Sequence, residues 1–172
     1  MLGDPSQIGE RGRFFFRSNA HMRHDSRQPF WKRKIPDEFT RNEWESLCDG
    51  CAKCCLQKIE DTLTGTLYYT RIVCRYLDLS SCRCTCYDHR CERVPSCLQL
   101  TPRTIYTLSF LPPTCAYRLI AEGKDLPHWH PLVSGDPALV HDSGNSVRGK
   151  VLSEEYVHPE GWDEHIIDWV DH

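Results

Sequence analysis

The chain has 172 residues, a size that suits one domain with a tail. Its apolar fraction of 40% and charged fraction of 26% exclude a largely disordered chain, and a net charge of -3 argues against a broad basic surface for nucleic acid phosphates. No apolar run approaches the roughly 20 residues that span a bilayer. The arginine- and serine-rich opening also lacks the apolar stretch of an export signal. The expected location is therefore cytoplasmic, with a metal ion as partner and neither nucleic acid nor membrane.

Residues 1–29 carry no hydrophobic period and read as a disordered tail, so the domain is expected over residues 30–172, beginning at the aromatics Phe30 and Trp31. From Pro36 to Leu47 the spacing predicts a short helix, with Pro36 and Asp37 in its first turn and Phe39, Trp44 and Leu47 as a buried stripe. Cys48 to Cys55 then form a dense cysteine block. The stretch after it predicts a β-hairpin turning near Thr64-Gly65, with Tyr68, Tyr69, Ile72 and Val73 in its second arm.

From Cys74 to Cys97 there are six cysteines and little apolar material, so that stretch needs something other than a conventional core to organise it. Thr101-Pro102 starts a predicted helix carrying Ile105, Leu108 and Leu111, stopped by Pro112-Pro113. A second short helix is predicted from Cys115 to Glu122, ended by Gly123. Residues 128–144 read as loop, and Trp162 to Val170 as a final helix that packs Ile166, Ile167, Trp169 and Val170 on the body.

Eleven cysteines in a reducing compartment point to metal ligation rather than disulfides, and the odd count fits poorly with closed pairing. The first block has the spacing Cys48-x2-Cys51-x2-Cys54-Cys55. On an ideal helix these four sulfurs fall within an arc of roughly 120°. In a knuckle, Gly50 permits the tight backbone instead. Alternation at Cys82, Cys84 and Cys86 would place all three on one side of an extended strand. Four thiolates suffice for one structural zinc or one iron–sulfur cluster, so the set is large enough for two sites. The spacing matches neither the bacterial ferredoxin run, which needs a later cysteine before proline, nor paired zinc-ribbon knuckles.

EWESLCDGCAKCCL, Cys74-Arg75, Cys82-x-Cys84, Pro95-x-Cys97 before LTP, LPPTCAYRL, AEGKDLPHWHPLVSGD and SVRGKV together resemble the YcgN-type branch of the YkgJ cysteine-cluster family over residues 30–170. That uncharacterised family is described as zinc- or iron-chelating, with no established activity. The resemblance implies a shared ligand set of Cys48, Cys51, Cys54, Cys55, Cys74, Cys82, Cys84, Cys97 and Cys115. It leaves Cys86 and Cys91 as additions of this chain, and residues 1–29 as an extension.

Other residues carry weaker signals. His128 and His130 flank Trp129 and could form a polar pocket with Asp125 and Asp136, although a proline-held loop on an aromatic anchor accounts for them as well. Arg118, Lys124 and Arg148 could compensate thiolate charge or be ordinary surface groups. His158, His165 and His172 read as solvated surface. No phosphate loop, dinucleotide fingerprint or nucleophile elbow is present, and no single cysteine stands out as a nucleophile.

The expected fold is a small, helix-dominated α+β domain with a hairpin and a cysteine-rich region stapled by metal. The expected cofactor is iron, as an iron–sulfur cluster or otherwise, or zinc. The expected function is metal binding. The alternatives are an iron–sulfur enzyme or electron carrier and a zinc-stabilised interaction module.

Overall fold

A computed structural model describes residues 28–108 and 110–171, so the tail expected over residues 1–29 lies almost wholly outside the described residues. The architecture is mixed α+β, with two small sheets set among short helices.

Near the start, α1 (Phe30–Arg33) brings Phe30 edge-on to Trp31 and to Phe39, each pair 5.2 Å between ring centroids. The helix expected from Pro36 to Leu47 divides at Phe39-Thr40. A 3-10 turn covers Pro36–Glu38, and α2 runs from Arg41–Ser46. The cause is a capping box that the periodicity did not count. Thr40 Oγ1 accepts from the Glu43 N–H, and the Glu43 carboxylate accepts from the Thr40 N–H. The predicted stripe survives the break: Leu47 is fully buried, with Phe39 and Trp44 packed around it.

The hairpin forms as expected. Strand β1 (Leu56–Glu60) pairs antiparallel with β2 (Leu67–Val73), and Gly65 takes a positive φ of 70° in the turn. Between Leu56 and Lys58 the register slips, and the buried Thr70 hydroxyl donates to the Gln57 carbonyl across the irregularity. A second, two-stranded sheet pairs β3 (Leu77–Asp78) with β4 (Arg83–Cys84), and α3 (Arg90–Arg93) follows it.

The helix expected from Thr101 shrinks to a 3-10 turn at Thr104–Tyr106. Thr101, Thr104 and Thr107 spend their hydroxyls on nearby backbone groups, which competes with a helical ladder. Ile105 and Leu111 are buried all the same. Helix α4 (Ala116–Ala121) matches the expectation, with Gly123 left-handed just beyond it.

Where a loop was expected, two single-turn helices form, α5 (Pro131–Ser134) and α6 (Leu139–Asp142). The His130 ring nitrogen accepts the Leu132 N–H at the start of the first. The Asp136 carboxylate accepts the Ala138 N–H before the second.

Strand β5 (Leu152–Ser153) adds to β2 in parallel, giving the order β1-β2-β5. The C-terminal helix is also corrected. A 3-10 segment spans Pro159–His165, and the chain then extends, with Ile166 bridging Thr70 and the Ile167 N–H donating to the Tyr69 carbonyl. Backbone groups of β2 offer that partner, which no sequence period reveals.

Two apolar cores result. One gathers Ala52, Leu56, Tyr69, Val73, Leu77, Cys82, Val147 and Val170 around the sheet. The other gathers Leu47, Ile105, Ala116, Tyr117 and Leu126 against the helical side. The first cysteine block runs from one core to the other, held by Leu47 at its start and by Ala52 and Leu56 at its end.

Candidate metal centre

Between Leu47 and Leu56 the chain is a knuckle, not a helix. Gly50 and Ala52 both take left-handed backbone, with φ of 78° and 59°, before a 3-10 turn at Lys53–Cys55. Left-handed backbone costs a non-glycine residue about 1–2 kcal/mol, so Ala52 stands there because the surroundings hold it. A Cβ at Gly50 would lie 3.0 Å from the Arg83 guanidinium carbon and would push that side chain aside, on top of the strain of the positive φ.

Hydrogen bonds fix the knuckle from several directions. The buried Asp49 carboxylate accepts the Cys51 N–H at 3.0 Å. The Val147 N–H donates to the Cys51 carbonyl, and the Cys74 N–H donates to the Cys55 carbonyl. His130, fully buried, bonds the Leu47 carbonyl through Nε2 at 2.9 Å while Nδ1 accepts from Leu132, which assigns the neutral tautomer. Both nitrogens are thereby used, so His130 acts as a brace under Cys48.

The knuckle opens onto a cavity of about 360 Å³ between the two cores. Seven of the eleven cysteines line it: Cys48, Cys54, Cys55, Cys74, Cys84, Cys86 and Cys97. Trp44 and Tyr117 form one apolar wall, Leu56 and Leu77 another, with Lys58 and Arg90 also on the lining. Tyr117 donates to the Trp44 carbonyl, and the Trp44 indole donates to the Leu100 carbonyl, which sets the first wall rigidly.

The nine cysteines of the expected ligand set separate into three groups. Cys48, Cys54, Cys55, Cys74, Cys84 and Cys97 meet at the cavity. Cys51 and Cys115 do not line it; the charge of Cys54 bears on both, and that of Cys115 bears on Cys51. Cys82 takes a left-handed φ of 55° and is buried in the apolar core around the sheet, facing Arg148.

The single strand face expected for Cys82, Cys84 and Cys86 therefore does not form, because the backbone turns at Cys82 before β4 begins. Cys86, set aside as an addition, lines the cavity with its sulfur 3.8 Å from that of Cys84. Its i+2 spacing from Cys84 was the available signal. Cys91 is exposed.

Loss of solvation raises the Cys48 thiol, although that residue is exposed at the cavity, to about 12 and the half-buried Cys115 thiol to about 11, and it also pushes the half-buried Cys51 up. The Cys54–Cys55 pair splits. A hydrogen bond from Cys55, aided by Lys58, holds Cys54 below the ordinary thiol range, and donating that bond holds Cys55 well above it. Many adjoining soft donors and little nearby carboxylate fit zinc or iron by donor chemistry. Among the described residues no three Cys, His, Asp or Glu side chains already converge as a complete metal-binding group.

The other candidates are occupied elsewhere. Asp125 pairs with Lys32 at 2.5 Å, Asp136 starts α6, and His128 is exposed against Trp129, so no histidine–aspartate pocket forms. Arg118 and Lys124 both pair with Glu122. His158 is exposed, His165 accepts from Arg71 Nε at 3.0 Å, and His172 lies outside the described residues. Among the described residues no helix is long and apolar enough to cross a membrane.

A family model described as "Putative zinc- or iron-chelating domain", with the pattern CxxCxxCC, matches residues 47–116. A UPF0260 protein of Marinobacter nauticus is 57% identical over 142 residues, covering 83% of this chain and 96% of the relative. Those of Ectopseudomonas mendocina and Azotobacter vinelandii are each 58% identical over 140 residues, covering 81% of this chain and 94% of each relative. No solved structure matches the chain.

Proposed function

We propose, from the premise that the chain belongs to the UPF0260 family, that it is a metal-binding protein whose cysteine cavity chelates iron or zinc through thiolates. The observation that carries this reading is the meeting of seven cysteines from four separate stretches of chain on one cavity. Thiols kept protonated by desolvation are costly to ionise alone, and a bound cation removes that cost. Of the nine, Cys48, Cys54, Cys55, Cys74, Cys84 and Cys97 line the cavity, and Cys51 and Cys115 stand off its lining. Cys82 is the weakest member of the nine, since apolar side chains enclose it.

When bound, zinc would tie the region together, and an iron–sulfur cluster would add electron transfer. The apolar walls and a volume within the usual range of small-molecule pockets favour, as the second reading, an iron–sulfur enzyme or carrier that admits an organic ligand beside the metal. A protein-interaction module in which zinc is only structural is the third. Residues 30–172 form the working domain in each case, and the compartment is the reducing cytoplasm.

The test is purification without oxygen, followed by a visible absorption spectrum with iron, zinc and sulfide analysis. Iron with sulfide and a visible band supports the cluster, and colourless protein with zinc supports the structural site. Neither metal, with eleven titratable thiols, overturns the proposal.

A further inference from the structure

Cys84 and Cys86 stand two residues apart, with their sulfurs 3.8 Å from each other and one thiol donating to the other. The backbone holds them from both ends. Cys84 closes β4 opposite Leu77, and the His89 N–H donates to the Cys86 carbonyl at 2.9 Å. Between them Thr85 is pinned to the Tyr76 carbonyl, by its N–H at 2.8 Å and by its hydroxyl at 3.0 Å. At the end of a strand, residues i and i+2 share a side, so with Thr85 turned to Tyr76 both neighbours face the cavity. Both are half-buried, so a small solute reaches them. Rotation about the Cα–Cβ bonds brings sulfurs at this separation to bonding distance.

We propose that Cys84 and Cys86 are a redox-active pair that hydrogen peroxide closes to a disulfide and small thiols reopen, so that oxidation withdraws Cys84 from the cavity. The inference rests on the metal-binding reading above only for its consequence, the loss of a ligand. Closure itself needs no metal.

The step balances with one peroxide. One sulfur attacks the peroxide, the O–O bond breaks, and a sulfenic acid and a water form. The second sulfur attacks the first, the S–S bond forms as the S–O bond breaks, and a second water leaves. The two thiols give up their hydrogens and two electrons, and the peroxide is reduced to water. The ring spans only Thr85, so closing it removes little freedom from the unfolded chain. Such a bond is of the labile kind that thiols reduce, as a transient disulfide in a reducing compartment has to be. Cys54 and Cys55 compete less well. A disulfide between adjacent residues strains the planar peptide bond that joins them, and their 3-10 turn is already held by the Cys55 N–H on the Ala52 carbonyl. Cys86 thereby gains a role that the shared ligand set does not give it.

The experiment treats the full-length chain, purified without oxygen and with its metal, with equimolar hydrogen peroxide. Free thiols are then blocked with N-ethylmaleimide and the chain is cut with trypsin. Cleavage after Arg83 and Arg90 releases Cys84 and Cys86 in one peptide, residues 84–90, with no other cysteine. That peptide is expected unlabelled and lighter by a pair of hydrogens before any other cysteine pair closes, and dithiothreitol should restore it. Metal per chain, measured in parallel, should fall in step with closure, while Cys86→Ser loses its metal markedly more slowly. Where that variant does not fold, the wild-type map and metal count decide. A peptide that stays open while another pair closes overturns the inference, and so does closure with the metal retained. Closure in a chain that never carried metal overturns the chelating reading instead and leaves the redox pair standing.

Discussion

The hairpin and the stretch that follows it are similar in length but held by different means. Between Leu56 and Val73 the chain buries Leu56, Tyr69, Thr70, Ile72 and Val73 and is tied by a β-ladder. Between Asp78 and Leu100 only Cys82 is buried. That second stretch has a two-residue ladder, a 3-10 turn at Tyr87–His89 and one helical turn, which is too little apolar burial to offset the entropy of ordering it. Yet it places Cys84, Cys86 and Cys97 on the cavity. One region folds because it buries carbon, and the other is ordered to bring sulfur to a site.

Metal removal should separate the two regions most widely. Chelation under reducing conditions is expected to leave backbone amides between Asp78 and Leu100 close to unprotected, while amides of β2 keep most of their protection. Hydrogen exchange read by mass spectrometry checks this. Equal loss of protection in both regions would mean that the metal organises the whole fold and that the contrast is false.

Leu47→Ala attacks the apolar side instead. Leu47 is fully buried at the junction of α2 and the knuckle, so a loss of about 2–5 kcal/mol is expected in urea unfolding of the metal-loaded protein. Val94→Ala, in the half-buried cavity wall, should cost clearly less. The reverse order would break the comparison.

His130→Ala probes the brace between the two. It strands the Leu47 carbonyl and the Leu132 N–H in a buried setting, at about 1–3 kcal/mol. Because that carbonyl immediately precedes Cys48, metal retention against a competing chelator should fall as well. Unchanged retention would confine His130 to the core.

The smallest effect concerns protonation. A thiol raised to about 12 or about 11 stays protonated at neutral pH, and one held below the ordinary range is the first to become a thiolate. In metal-free protein, iodoacetamide at neutral pH should therefore label Cys54 ahead of Cys48 and Cys115, which become reactive only as pH rises toward their own values. Peptide mapping across a pH series checks the order. Early labelling of Cys115 would show that its site opens once metal is gone.

The hairpin and α4 were legible because each carries its own punctuation, Gly65 at the turn and Gly123 after the helix. The helices expected over residues 36–47, 101–111 and 162–170 fell short because apolar spacing reports burial and says little about which backbone partner is available. Thr40 capped a new start, three threonines drew backbone bonds to themselves, and β2 offered Ile167 a carbonyl.

The amino-acid sequence by itself determined the chemistry: eleven soft donors, a CxxCxxCC block with Gly50 in it, and a following stretch too poor in carbon to make a core. Only the tertiary structure decided which sulfurs meet. Cys82 went into the apolar core because the chain turns left-handed there, and Cys86 came to the cavity because β4 runs out beside Cys84. Cys115, at the start of α4, came within electrostatic reach of Cys51 in the knuckle. The direction of a side chain depends on local backbone angles and on what packs behind them, and those are settled between segments far apart in the chain.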